Sequence, residues 1–246
     1  MSVDVLTPPD RIARATAWGR VLAADDVVVV RAAELTGLFA TEAVVRLARC
    51  WELLGPDEAL VDGGTYRYRR YGRLRAERDA PGHWRFTPLP HVPFRQSAEH
   101  VPHYGGRARM FGPIPPTELL DPTLVGLVAA DLDIAGHVAT DVRAWEIGLH
   151  MVRVVAVEGA PGSPTPESRH RDGHDFVGMH LLNRTGCTGG SSTIYPAGRP
   201  PVRLTMTDRL DTIIVVDPRL THEVSPVSAT DHVGVRDMLL VDLNAR

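Results

Sequence analysis

The sequence predicts an α+β chain that is mainly β: a sandwich or rolled barrel braced by N-terminal helices. Three observations predict it. Helical spacing of apolar residues is concentrated in the first 55 residues, β-type runs dominate from Tyr66 onward, and Gly, Pro, Asn and Asp separate those runs at close intervals. With 246 residues, 43% of them hydrophobic, the chain can bury a full core, and one domain over 1–246 is expected. Within it, residues 1–58 read as a helical N-terminal layer and 59–246 as a β core with an inserted loop and helix.

In the first layer, RIARATAWGRVLA and TEAVVRLARCWELL carry the helical pattern on either side of the β-branched run VVVV at 27–30. From Tyr66, YRYRRYGRLR alternates as a half-buried strand does. Residues 88–116, rich in Pro, Gly and His, read as a long surface connection of the kind that often carries function. PPTELLDPTLVGLVAADLDIAG follows as one further helix. Then come short strands: IGLHMVRVVAVEG, FVGMHLLNR, STIY, TIIVVD, HEVSPV and VRDMLLVDL.

Composition narrows the chemistry. A net charge of -3 gives no general attraction to phosphate backbones, so small-molecule partners are expected and nucleic acid is not, despite the arginines and aromatics of YRYRRYGR. Cys50 and Cys187 are far apart, which signals neither a disulfide framework nor a cysteine zinc site and suits a reducing cytoplasm. MSVDVLTPPDR lacks the basic and apolar regions of a signal peptide, and no apolar run approaches the roughly 20 residues that span a bilayer, so no membrane partner is expected. The chain has no lysine, which excludes Schiff-base chemistry; without a phosphate-contacting lysine or Gly-rich loop, its HRD tripeptide is not a kinase loop.

That tripeptide lies in SRHRDGHDF, where His170 and Asp172 stand at i, i+2, a spacing that sends both side chains from the same edge of a strand. His222, in VVDPRLTHEVSP at the start of a later strand, is the best third ligand. Two histidines and one aspartate on one face match the facial triad of non-haem Fe(II) oxygenases. Arg236, in HVGVRDMLLVDL on what reads as the adjacent final strand, suits a distal carboxylate as a bidentate partner. Among eleven histidines one HxD is nearly expected by chance, so order and spacing of the whole set carry the assignment; His83, His91, His137, His174, His180 and His232 read as surface or satisfied core groups.

The blocks SPTPESRHRDGHDFVGMHLLNR, TGGSSTIY, DPRLTHEVSPV and GVRDMLLVDL resemble the family of 2-oxoglutarate and Fe(II)-dependent dioxygenases that includes bacterial L-isoleucine 4-hydroxylase. Upstream, DGGTYRYRRYGRL, PFRQSAEH with HYGG following, and WEIGLHMVRVVA extend the resemblance from about residue 60 to the end. It implies a double-stranded β-helix, or jelly roll, with His170, Asp172 and His222 as Fe(II) ligands and Arg236 on the distal carboxylate of 2-oxoglutarate, O2 being the other co-substrate. The implied reaction is hydroxylation of an unactivated C–H bond of a free or lightly modified amino acid in specialised metabolism. Asp172 favours hydroxylation, since related halogenases lack the carboxylate. Arg69, Arg70, Arg95, Gln96, Glu99, Tyr104 and Arg153 fall in matching blocks and suit the substrate's charged ends, although each also reads as a solvated charge or ion pair. The chain departs from the pattern at Ser168-Arg169, where a glycine often follows the PE pair, and at Ser191, where an acidic residue is frequent. Two alternatives stay open: the same cofactors with desaturation or ring closure, and a non-oxygenase metal-binding β-roll serving as isomerase, lyase or binding module. The first 55 residues suit either a brace or a homodimer surface.

Overall fold

The computed structural model describes residues 1–35, 37–101 and 105–246. It opens with β1 (Val3–Leu6) and α1 (Pro9–Asp25), whose buried residues Arg11, Ala15, Trp18, Gly19 and Leu22 repeat at helical spacing. Asp26 ends α1 in the left-handed region, at φ 64°, by donating its N–H to the Leu22 carbonyl. β2 (Val27–Val30) and α2 (Thr41–Ala48) follow, then the hairpin of β3 (Arg67–Ala80) and β4 (His83–Pro88). Beyond the long loop come β5 (Gly112–Pro113), α3 (Pro116–Leu119) and α4 (Pro122–Ala135). The single helix expected there is two. Pro122 cannot continue a preceding helix, and Asp121 caps the next one by accepting from the N–H groups of Thr123 at 2.8 Å and Leu124 at 3.1 Å.

The remaining strands are β6 (Ala144–Val157), β7 (Phe176–Thr185), β8 (Cys187–Gly189), β9 (Ser191–Pro196), β10 (Val202–Thr205), β11 (Thr212–Val215), β12 (Leu220–Val224), β13 (Val227–Ala229) and β14 (Val233–Ala245). The main sheet runs β1-β4-β3-β6-β14-β7-β11-β2, with β5 beside β3; two smaller sheets, β10-β9-β12 and β13-β8, face it. The segment expected to be helical thus also supplies both edge strands of the main sheet: β1 pairs with β4 and β2 with β11.

One face of the main sheet packs under α1, α2 and α4 around Trp51, Trp84, Phe86, Leu124 and Trp145. The other meets the smaller sheets over Met179, Leu181, Ile194, Ile213 and Met238. Two facing antiparallel sheets with helices on one outer face make the expected jelly roll. β3 keeps the alternation read from YRYRRYGRLR, but its buried positions include Arg67 and Arg69, while Tyr68 and Arg70 are half-buried. No helix among the described residues is long and apolar enough to cross a membrane.

Candidate metal centre

His170 and His222 sit opposite each other on adjacent antiparallel segments. The His170 N–H donates to the His222 carbonyl at 3.0 Å, and the His222 N–H returns the bond at 2.9 Å. Opposed residues of such a pair project from the same face. The expected strand through His170 and Asp172 is reduced to this one bridge, and Asp172 lies in the turn after it. Asp217, in the turn just before β12, holds that turn: its carboxylate accepts from the N–H groups of Asp172 at 3.1 Å, Gly173 at 2.7 Å and His174 at 3.1 Å. The turn needs Gly173, whose φ of 91° few side chains adopt.

The three side chains converge. Asp172 Oδ1 lies 3.4 Å from His170 Nε2, Asp172 Oδ2 lies 3.4 Å from His222 Nε2, and all three ligand atoms fall within 4.8 Å of one another. Metal bonds of about 2.0–2.2 Å place neighbouring donors on one face of an ion about 3 Å apart, so this set needs little adjustment to close on a cation. His170 Nδ1–H donates to the Ser168 carbonyl at 2.8 Å, so Nε2 is the nitrogen that faces the centre. Behind Asp172, Gln96 Nε2 donates to its carbonyl at 3.2 Å and to Oδ1 at 3.3 Å, and Arg109 in turn donates to Gln96 Oε1. Burial opposes a charge on His170, yet the Asp172 and Glu167 carboxylates raise it to about 9. Burial pushes His222 the other way, below its ordinary value. Asp172, despite its own burial, is held far below the usual carboxylate range by His222 and His170.

The triad lines a cavity of about 90 Å³, whose walls also carry Arg69, Glu167, Ser192, Arg236 and the apolar side chains of Val152, Val154, Val177, Met179 and Met238. Arg236, on β14, is 3% exposed, makes no hydrogen bond or ion pair among the described residues, and has a fully buried Nε without a partner. Burial and then Arg184 lower its guanidinium to about 10. Ser192 Oγ, on β9, is likewise buried and unpartnered. Room for Arg236 comes from Gly190, where a Cβ would meet Arg236 Cδ at 3.1 Å and Nε at 3.2 Å. A buried guanidinium with no anion is costly, and these unpaired donors are what a ligand carboxylate takes, so the cavity fits both an Fe(II) ion and the distal end of 2-oxoglutarate.

Arg69 enters the same cavity from β3. Its Nη2 lies 2.7 Å and its Nε 3.2 Å from His150 Nδ1, and its guanidinium stacks over Phe111 at 4.5 Å. Arginine only donates, so His150 Nδ1 accepts, and the ring proton on Nε2 goes to Asp242 at 2.9 Å. Burial, reinforced by the Arg69 charge, lowers His150 to about 4 and keeps it neutral.

Of the residues expected at the site, the fold brings together His170, Asp172, His222, Arg236 and Arg69, with Gln96 behind the aspartate. Four others lie away from the cavity. Arg70 pairs with Glu118 at 3.5 Å, Arg153 forms a two-bond pair with Asp237 at 2.7 and 2.9 Å, Arg95 is exposed and donates to the Gly106 carbonyl at 3.4 Å, and Glu99 is exposed, its N–H meeting Ser97 Oγ at 3.2 Å. Tyr104 lies outside the described residues. Glu167, Ser192 and Asp217 escaped the sequence reading, and the only available signal was their place inside the blocks PES, TGGSS and VVDPR.

A family model described as 2OG-Fe dioxygenase matches residues 48–242. The chain is 26% identical over 192 residues to 3(1)-hydroxy-L-isoleucine 4-dioxygenase of Pantoea ananatis (strain AJ13355), covering 76% of this chain and 77% of that one. It is 28% identical over 151 residues to L-isoleucine-4-hydroxylase of Bacillus thuringiensis, covering 59% and 62% of the two chains. Among solved structures, a bsmA homologue from Methylobium petroleophilum PM1 superposes with a TM-score of 0.83 at 28% identity, over 94% of this chain and 93% of that one.

Proposed function

The chain belongs to the 2OG-Fe dioxygenase family, and on that premise we propose that it hydroxylates an unactivated C–H bond of a free or lightly modified amino acid, in specialised metabolism. It is a 2-oxoglutarate-dependent dioxygenase, so the isomerase, lyase and binding-module readings lapse. The observation that carries the proposal is the meeting, in one cavity, of the His170, Asp172 and His222 ligand atoms with the unpartnered guanidinium of Arg236. The substrate class is supported by the two relatives above, both named for oxidation of isoleucine-type amino acids.

When bound, Fe(II) with 2-oxoglutarate and O2 supplies the oxidising power, and the protein's work is positioning. His170, Asp172 and His222, whose ligand atoms converge, would hold the ion. Asp217 and Gln96 keep Asp172 in place from the main-chain and side-chain sides. Arg236 and Ser192 take the distal carboxylate of 2-oxoglutarate. Arg69, locked by His150 and the Phe111 ring, offers a directed cation to the substrate carboxylate. The valine and methionine wall packs an aliphatic side chain and excludes water from the reacting carbon. The single domain works in the cytoplasm, where the free thiols of Cys50 and Cys187 stay reduced.

Succinate formation from 2-oxoglutarate, measured in air across an amino-acid panel with product masses, tests the proposal. Stimulation by an amino acid that gains one oxygen is expected. Loss of two hydrogens would move the outcome to desaturation or ring closure, and no stimulation by any amino acid would overturn the substrate class.

A further inference from the structure

Glu167 stands three residues before His170 and lines the metal-centre cavity. Its Oε2 is fully buried and has no hydrogen-bond partner. Its Oε1 has one charged neighbour among the described residues, His170 Nε2 at 3.6 Å. That nitrogen faces the triad centre, and Oε2 remains as the carboxylate oxygen with no partner of its own. Glu167 is not one of the converging ligand set, and no arginine pairs with it among the described residues. Arg69 lines the same cavity with opposite charge, and it is turned against His150 and makes no ion pair with Glu167. The unpartnered Oε2 of Glu167 and the buried guanidinium of Arg69 share a cavity without pairing, an arrangement that suits a group charged at both ends.

We propose that Glu167 receives the ammonium group of the substrate while Arg69 receives its carboxylate, so that the enzyme selects free α-amino acids with a cationic amine over des-amino and N-acylated compounds. The inference rests on the amino-acid reading of the preceding subsection and narrows it. A carboxylate that accepts from one or two of the N–H groups of an ammonium fixes the Cα of the substrate beside the turn that carries His170 and Asp172. The apolar wall then receives the side chain. An acylated nitrogen brings no charge and keeps only one of the three N–H donors. Glu167 is therefore a specificity-determining residue.

The test is anaerobic calorimetric binding to protein loaded with Fe(II) and 2-oxoglutarate. The probes are L-isoleucine, L-leucine and L-valine, their N-acetyl derivatives, and the des-amino acids 3-methylpentanoate, 4-methylpentanoate and 3-methylbutanoate. Native protein is expected to bind at least one free amino acid tenfold or more tighter than its des-amino and acetylated counterparts. Glu167→Gln should abolish that preference by weakening the amino acid alone, with 2-oxoglutarate affinity within twofold of native, and Glu167→Asp should keep part of it. An unchanged preference in Glu167→Gln overturns the assignment while leaving the amino-acid reading intact. Loss of metal or 2-oxoglutarate binding in Glu167→Gln also overturns it, by making Glu167 part of the cofactor site. If none of the three amino acids binds native protein, the reading it rests on falls and takes the assignment with it.

Discussion

The two faces of β7 carry buried polar groups of opposite kinds. Gly178 and His180 face α4, where His180 bonds Asp131 through Nε2 and the Thr212 hydroxyl through Nδ1, both at 2.9 Å, and Thr212 Oγ1 donates to the Leu210 carbonyl at 2.8 Å. Val177 and Met179 face the cavity, where Glu167, Ser192 and Arg236 each keep a buried atom without a partner. The first cluster has the residue types of a hydrolytic triad but nothing to offer a ligand, because the threonine proton is already committed and both ring nitrogens are engaged. Residue type thus misleads where satisfaction does not. A closed polar network holds a fold together, and an open one marks what the fold is built to bind.

That contrast predicts different consequences for the two sides. Asp131→Ala should cost about 3 kcal/mol of stability, since it strands a buried imidazole donor. Urea unfolding would show this, with 2-oxoglutarate affinity unchanged in the protein that remains folded; an unaltered midpoint would erase the distinction. Arg236→Met should do the reverse, leaving stability within about 1 kcal/mol of native, because no native partner is lost, while weakening 2-oxoglutarate about 100-fold. Calorimetric titration alongside the unfolding curve measures both. A variant that unfolds readily and binds normally would place Arg236 among the structural groups.

Proton competition sharpens the comparison further. His170, held at about 9, must lose its proton to ligate a metal, whereas Asp172 is already ionised. Affinity for Co(II), a stable stand-in for Fe(II), should therefore rise with pH by about tenfold per unit below pH 9, with about one proton released per ion. Titration in two buffers of different ionisation enthalpy counts the proton. The smallest effect is expected at Ser168, which sits at φ 62°, in the left-handed region that favours glycine. Ser168→Gly should relieve this left-handed conformation and stabilise the protein by about 0.5–1 kcal/mol, read as a higher Tm with metal affinity unchanged.

The convergence of His170, Asp172 and His222 was legible because it lies partly in linear order: two residues at i, i+2, a third before a later strand, and an arginine on the next. The helix spacing of α1 and α2 was legible for the same reason. Adjacent Arg69 and Arg70 were not separable, because which of them enters the cavity depends on the facing of β3 and its pairing with β6, a tertiary fact. β1 stayed hidden because four residues at a sheet edge, two half-buried and two exposed, carry too little apolar pattern. Glu167 and Asp217 sit in proline-rich turns that read as connections, and their roles come from where the chain folds back: Asp217 onto the HxD turn, and Glu167 into the cavity beside it.

The most direct test of the central claim, that the triad and Arg236 form one cofactor site, is anaerobic addition of Fe(II) and 2-oxoglutarate with visible absorption of the chelate's weak charge-transfer band. Native protein, Asp172→Ala and Arg236→Met would be compared. The account predicts a band in native protein that is lost in Asp172→Ala and needs far more 2-oxoglutarate to develop in Arg236→Met. Native protein that binds both components without a band, or a band that survives Asp172→Ala unchanged, would contradict it.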